Sequence, residues 1–210
     1  MIDYFIGYHD KLLTALLEHL AIVFVSLLLS LLLAALLTVL CMYSKAVSKL
    51  AVNLFSMIYS IPSLAMFAML IPLTGLGKTT AILVLTVYNQ YLLLRNFIAG
   101  LNEVDTAVVD AATGMGMTKI QVLVKIRLPL SKEALFAGIR LAAVSTIGIA
   151  TIAASINAGG LGTILFDGLR TMNVVKILWG SLLSAGLAIF TNALLGLARK
   201  KRNKRERGTQ

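Results

Sequence analysis

Little in this sequence is equipped for chemistry in water. Cysteine occurs once in 210 residues, as Cys41, which excludes an intrachain disulfide or a cysteine metal cluster and leaves a small packing residue in an apolar run. Histidine occurs twice, as His9 and His19, ten residues apart beside Asp3, Asp10 and Glu18. That distribution predicts a solvated or interfacial face, and metal ligation is not expected. Charge is scarce too, at 13% of residues against about a quarter in soluble domains. A basic region before the first apolar run is missing, and that run is longer than a signal core, so a cleavable leader is not expected.

What is present is apolar. Hydrophobic residues make up 59% of the chain, and the mean hydropathy is +0.90. Uncharged runs long enough to cross a hydrocarbon core of ~30 Å recur along it. The first lies between Glu18 and Lys45, the second from Leu50 to Gly77 with Pro62 and Pro72 inside it. A short third, Thr79 to Leu94, requires Lys78 and Arg95 to reach toward the two interfaces. A fourth runs from Leu141 to Phe166, with its helix ended by "NAGGLG" at 157–162, and a fifth from Ile177 to Ala198. The expected fold class is an all-α membrane protein with about five transmembrane helices and a cytoplasmic helix–turn–helix. Its expected parts are an extracytoplasmic segment 1–19, a transmembrane domain 20–198 and a basic cytoplasmic tail 199–210.

Five spans put the termini on opposite sides, and the distribution of Lys and Arg assigns the sides. Lys45 and Lys49, the central Arg95, Lys119, Lys125, Arg127, Lys132 and Arg140, and the tail carry most of the positive charge. These regions are expected in the cytoplasm, with the N-terminus outside and the C-terminus inside. The tail "RKKRNKRERG" has no interleaved aromatics, so it is expected to anchor on anionic lipid rather than to bind nucleic acid. "TGLGKTT" at 74–80 imitates a phosphate-binding loop, but the pattern demands glycine at 72, where Pro72 stands, and a strand before it. A tight turn between spans is the better reading.

One long polar passage interrupts the oil. After Glu103 and Asp105, "TAVVDAATG" suits a short helix, broken by Gly114 and Gly116. A second amphipathic helix, "MTKIQVLVKIRL", follows, and Pro129 marks its end. Asp110, Ala111 and Ala112, then Gly116, then Ile126, Leu128 and Pro129 resemble the E-A-A, three residues, G, nine residues, I-x-L-P motif of bacterial ABC importer permeases, departing only in aspartate for glutamate. The stretches 61–77, 95–96, 114–123 and 138–162 are similar to permeases that import the osmoprotectants glycine betaine, carnitine and choline during osmotic stress.

That resemblance implies a pair of permeases, two copies or a copy and a paralogue, bound to two cytoplasmic ATP-binding subunits and a separate extracytoplasmic substrate-binding protein. Segment 103–130 would seat on the ATPase, with Ala111 and Ala112 thinning the first helix, Gly114 and Gly116 turning the chain and Pro129 setting where the fourth span begins. No cofactor is expected on this chain and no enzymatic activity of its own; ATP and Mg would be used by the partner ATPase.

Polar groups within spans are costly and tend to face cavities. Tyr88, Asn89, Gln90 and Tyr91 are therefore candidates for the translocation path, with Pro62 as a kink that opens the second span and Asn157 as a gate or binding-protein contact. Tyrosine faces would suit a quaternary ammonium ion. The small residues of 147–162 are expected to pack at the permease dimer axis. An importer of another small solute, such as an amino acid, is the nearest alternative. A secondary transporter or channel would normally carry coupling acids within its spans, and none of the nine acids lies clearly at mid-membrane. A simple membrane anchor leaves residues 103–129 without a reason.

Overall fold

The computed structural model describes residues 2–207, with side chains described for 4–197; the side chains of the basic tail lie outside this range. Helix α1 spans Ile2–Met42. The helix runs without a break through residues 19 and 20 and is interrupted only at Tyr8, where φ is −132° and ψ 18°. Nothing between Lys11 and Met42 is proline or glycine, so no breaker separates the polar start from the apolar span. His19, expected on an interfacial face, is instead fully buried, and its Nε2 lies 3.2 Å from the Ile147 carbonyl.

The second span is broken. Helices α2 (Lys45–Ser60) and α3 (Ser63–Thr74) meet at an angle of 97°. Pro62 explains the break, since it has no N–H to donate and pushes the preceding Ile61 into extended backbone, observed at ψ 132°. Pro72, by contrast, sits inside α3 without ending it. Helix α4 (Lys78–Asn102) is longer than the expected third span, running two turns past Arg95 and buried along most of its length. The elbow contains α5 (Thr106–Gly114), α6 (Lys119–Val122), a π-turn at Leu123–Arg127 and α7 (Leu128–Leu130). Helix α8 (Lys132–Ile152) follows and closes in a 3₁₀ turn, Ala153–Ile156, then come α9 (Gly162–Arg170) and α10 (Val174–Arg207).

Among the described residues, four helical stretches are long and apolar enough to cross a membrane, Tyr4–Met42, Lys78–Asn102, Lys132–Ile156 and Val174–Leu197, and the bent pair makes a fifth. The pair crosses rather than returning. Lys78, after α3, bonds Glu18 near the start of α1's apolar run, whereas Tyr43, before α2, borders the elbow residues Met117 and Ile120. The chain between them therefore travels from one end of the bundle to the other.

Helix α4 is the axis, with α1, α8 and the α2–α3 pair packed around it. Its crossing with α8 is close because Gly100 faces Ala134 and Gly138 faces Asn96. The main core joins Ile22, Phe67, Val84, Leu85 and Ile147 with Ala150 and Ala153. The small residues of 147–162 are thus largely consumed in packing within this chain, where they let α8 approach α1 and α3. Gly148 and Ser155 are the exposed exceptions. Cys41 packs with Leu94 and Ile98.

Candidate functional site

The elbow builds itself from local rules. Asp105 caps α5 through the Ala107 amide at 2.9 Å. Its C-terminus closes with Met117 N–H bonded to the Ala112 carbonyl and Gly116 N–H to the Thr113 carbonyl, while Gly116 has φ +85°. That bond pair is a Schellman closure, which needs the left-handed residue glycine tolerates. The turn thus rests on Gly116 alone; Gly114, expected to share it, is the last helical residue of α5. Thr118 and Gln121 then form a reciprocal capping box that starts α6.

Pro129 does not mark the start of the fourth span. The Leu128 N–H bonds back five residues to the Leu123 carbonyl, and this widened turn carries the helix up to the proline. The break falls at Ser131, whose hydroxyl donates to the Arg127 carbonyl at 2.7 Å, and α8 begins at Lys132.

Three contacts hold the elbow under the bundle. Arg127 donates to the Leu101 carbonyl at 3.1 Å and to Asn102 Oδ1 at 3.4 Å, tying it to the end of α4. Ala112 and Val122 are buried within the chain. The end of α1, at Val39, Met42 and Tyr43, borders the other side of a cleft of about 230 Å³ with Val109, Met117 and Ile120. Ala112 is therefore spent on intrachain packing, while Asp110, Ala111, Gly114, Gly116 and Pro129 are exposed and Ile126 and Leu128 half-buried. Met115 is 75% and Ile120 59% exposed, with Val108 and Val124 also outward. An exposed apolar ridge on a rigid turn is a surface made to be covered.

The candidate path residues divide. Asn89 donates to the Ser30 hydroxyl at 3.1 Å and the Thr146 hydroxyl at 2.9 Å, joining α4 to α1 and α8. Gln90 donates to the carbonyls of Ser30 at 3.2 Å and Thr86 at 2.9 Å. Both are buried in the bundle as interhelical glue, with Gln90 Oε1 left without a hydrogen-bond partner. Tyr88 and Tyr91 share one face of α4, as expected from their spacing, and Tyr59 of α2 meets both, with ring centroids 5.7 and 5.1 Å away. The Tyr88 hydroxyl donates to the Ile61 carbonyl at the 97° bend, so this ring pins the break that Pro62 creates. Pro62 is exposed. Tyr59 was not a sequence candidate, because its meeting with Tyr88 and Tyr91 depends on α2 packing against α4.

At the opposite end, Glu18 accepts from Lys78 Nζ at 3.0 Å and from the Gly160 amide at 3.1 Å, clasping α1, the α3–α4 turn and the loop before α9. Asn157, with φ 61°, is exposed on that loop. Asp167 pairs with Lys176 at 2.8 Å, and the hydrogen bond from that ammonium holds its carboxyl below the ordinary aspartate value. Among the described residues no group of three potential ligands is placed to hold a metal ion.

Residues 26–207 match the family described as the binding-protein-dependent transport system inner membrane component. The chain is 35% identical to a carnitine transport permease protein of Listeria monocytogenes over 186 residues, 89% of this chain and 85% of that one. It is 34% identical to a choline transport system permease protein of Bacillus subtilis, over 91% of this chain and 88% of the other. In fold it superposes on a chain of the MetNI methionine ABC transporter with a TM-score of 0.78 at 24% identity, covering 93% and 95% of the two. A chain of an amino acid ABC transporter solved with histidines gives 0.80 at 16% identity, covering 93% and 96%.

Proposed function

The chain belongs to the family of inner membrane components of binding-protein-dependent transport systems, and we propose that it is the membrane-spanning subunit of an ATP-driven importer for quaternary-amine osmoprotectants, the class of glycine betaine, carnitine and choline. One observation carries the coupling role: a turn that is internally capped, tethered to α4 through Arg127, and crowned with exposed Met115 and Ile120. A rigid body of this kind transmits displacement, because force applied to its ridge reaches α4 and α8 without being absorbed locally. Similarity to carnitine and choline permeases at 34–35% identity favours the substrate class.

In this reading two ATP-binding subunits use ATP and Mg and seat on residues 103–130, with Asp110, Ala111 and Gly116 in the contact. The permease pair is two copies of this chain or this chain with a paralogue, and an extracytoplasmic binding protein delivers the substrate. The N-terminus lies outside and the C-terminus inside, since Lys45, Lys49 and the elbow's basic residues share one end of the bundle. A cysteine introduced at Thr74 will react with an impermeant reagent in whole cells, and one at Gln121 will not. Equal reaction at both overturns the orientation. Reconstitution with the ATPase and binding protein should give betaine, carnitine or choline uptake only with ATP. Uptake without ATP overturns the mechanism, and carriage of an amino acid with neglect of all three overturns the substrate.

A further inference from the structure

Arg95 stands on the exposed side of α4, about 10 Å from its elbow end at ~1.5 Å per residue. At 100° per residue it points away from Leu93 and Phe97, which pack in the cluster with α1's Ala34, so it faces outward from that core. Among the described residues no carboxylate pairs with it. Its guanidinium instead donates to the Tyr91 hydroxyl at 2.9 Å, with Cζ 5.9 Å from the centre of the Tyr91 ring. Tyr59 and Tyr91, inclined at 35° with centroids 5.1 Å apart, make one continuous aromatic wall beside it.

We propose that Tyr59, Tyr91 and Arg95 form a weak station for a zwitterion that carries a methylated ammonium and a carboxylate, a proposal that rests on the substrate reading above. A methylated ammonium is drawn to ring faces and needs no hydrogen-bond donor. Arginine supplies the planar fork that a carboxylate accepts in bidentate fashion. The two demands are met side by side. The guanidinium now bonds the Tyr91 hydroxyl at the edge of the ring; a ligand carboxylate draws it off, leaving the ring to the ligand's own cation. Release follows as Arg95 returns to the ring, so the site holds its ligand loosely, as passage requires.

The three osmolytes separate the charges. Betaine and carnitine have the carboxylate, and choline has only the ammonium. In the full importer, Arg95→Gln should cut the maximal uptake rate of betaine and carnitine by about tenfold, the scale of one charge-assisted hydrogen bond, and leave choline near wild type. Arg95→Lys should restore part of the loss, and Tyr59→Leu should slow all three, with the binding protein's affinity unchanged throughout. Arg95→Gln that slows choline as much as betaine, or slows neither, overturns the station while leaving the importer reading intact. A wild-type importer that carries none of the three overturns the substrate reading and the station with it.

Discussion

At the end of the bundle that holds Glu18, three distant pieces of chain meet so closely that a Cβ on Gly159 would stand 2.5 Å from a Glu18 oxygen and one on Gly160 would stand 3.0 Å from His19 Nδ1. At the other end, a Cβ on Gly116 would meet nothing within 4 Å. Both ends turn on glycines of positive φ, near +80°, yet the first is held by long-range contacts and the second by capping bonds among near neighbours. The Glu18 end is packed from within the chain. The elbow, which we propose docks on the ATPase, is stiffened locally and left apolar outside.

Substituting the two glycines identically breaks the comparison most sharply. Gly160→Val combines left-handed strain of ~1–2 kcal/mol with overpacking against His19 of ~1–3 kcal/mol. It should lower the thermal stability of the purified chain and its yield in the membrane. Stability equal to wild type would show that the loop is not held as described. Gly116→Val carries only the strain, ~1–2 kcal/mol, with open space around it. Its yield should stay normal while substrate-stimulated ATP hydrolysis falls; full transport by this variant counts against residues 103–130 as the coupling segment.

Glu18→Gln sharpens the same comparison with a smaller effect. It removes the ion pair to Lys78, whose partly exposed geometry limits the loss to ~0.5–1 kcal/mol, and leaves an oxygen for the Gly160 amide. A modest fall in melting temperature, reduced further by salt in the wild type alone, is the expected result. A loss as large as that of Gly160→Val would mean that charge, rather than packing, closes this end.

How much could be seen beforehand follows from the reach of each interaction. The elbow was legible because its bonds span two to five residues: Asp105 to Ala107, Thr118 to Gln121, Gly116 to Thr113. Even there, Gly114 and Pro129 misled, since a glycine can end a helix without turning it and a widened helical turn can absorb a proline. Asn89 and Gln90 misled more. A polar residue in a span looks the same in sequence whether it faces a cavity or a serine on the next helix, and Ser30 and Thr146 lie far away along the chain.

By itself the sequence determined what near neighbours and composition control. Uncharged runs of about 20 residues must cross a bilayer, clustered Lys and Arg bias the orientation, and capping residues around Gly116 make a rigid turn. Only the tertiary structure decided which partners distant side chains would find. It closed Glu18 onto Lys78 and Gly160, brought Tyr59 to Tyr91 beside Arg95, and let α4 and α8 cross closely at Gly100 and Gly138. At such crossings approach distance is set by two surfaces at once, and neither surface can be read from its own segment.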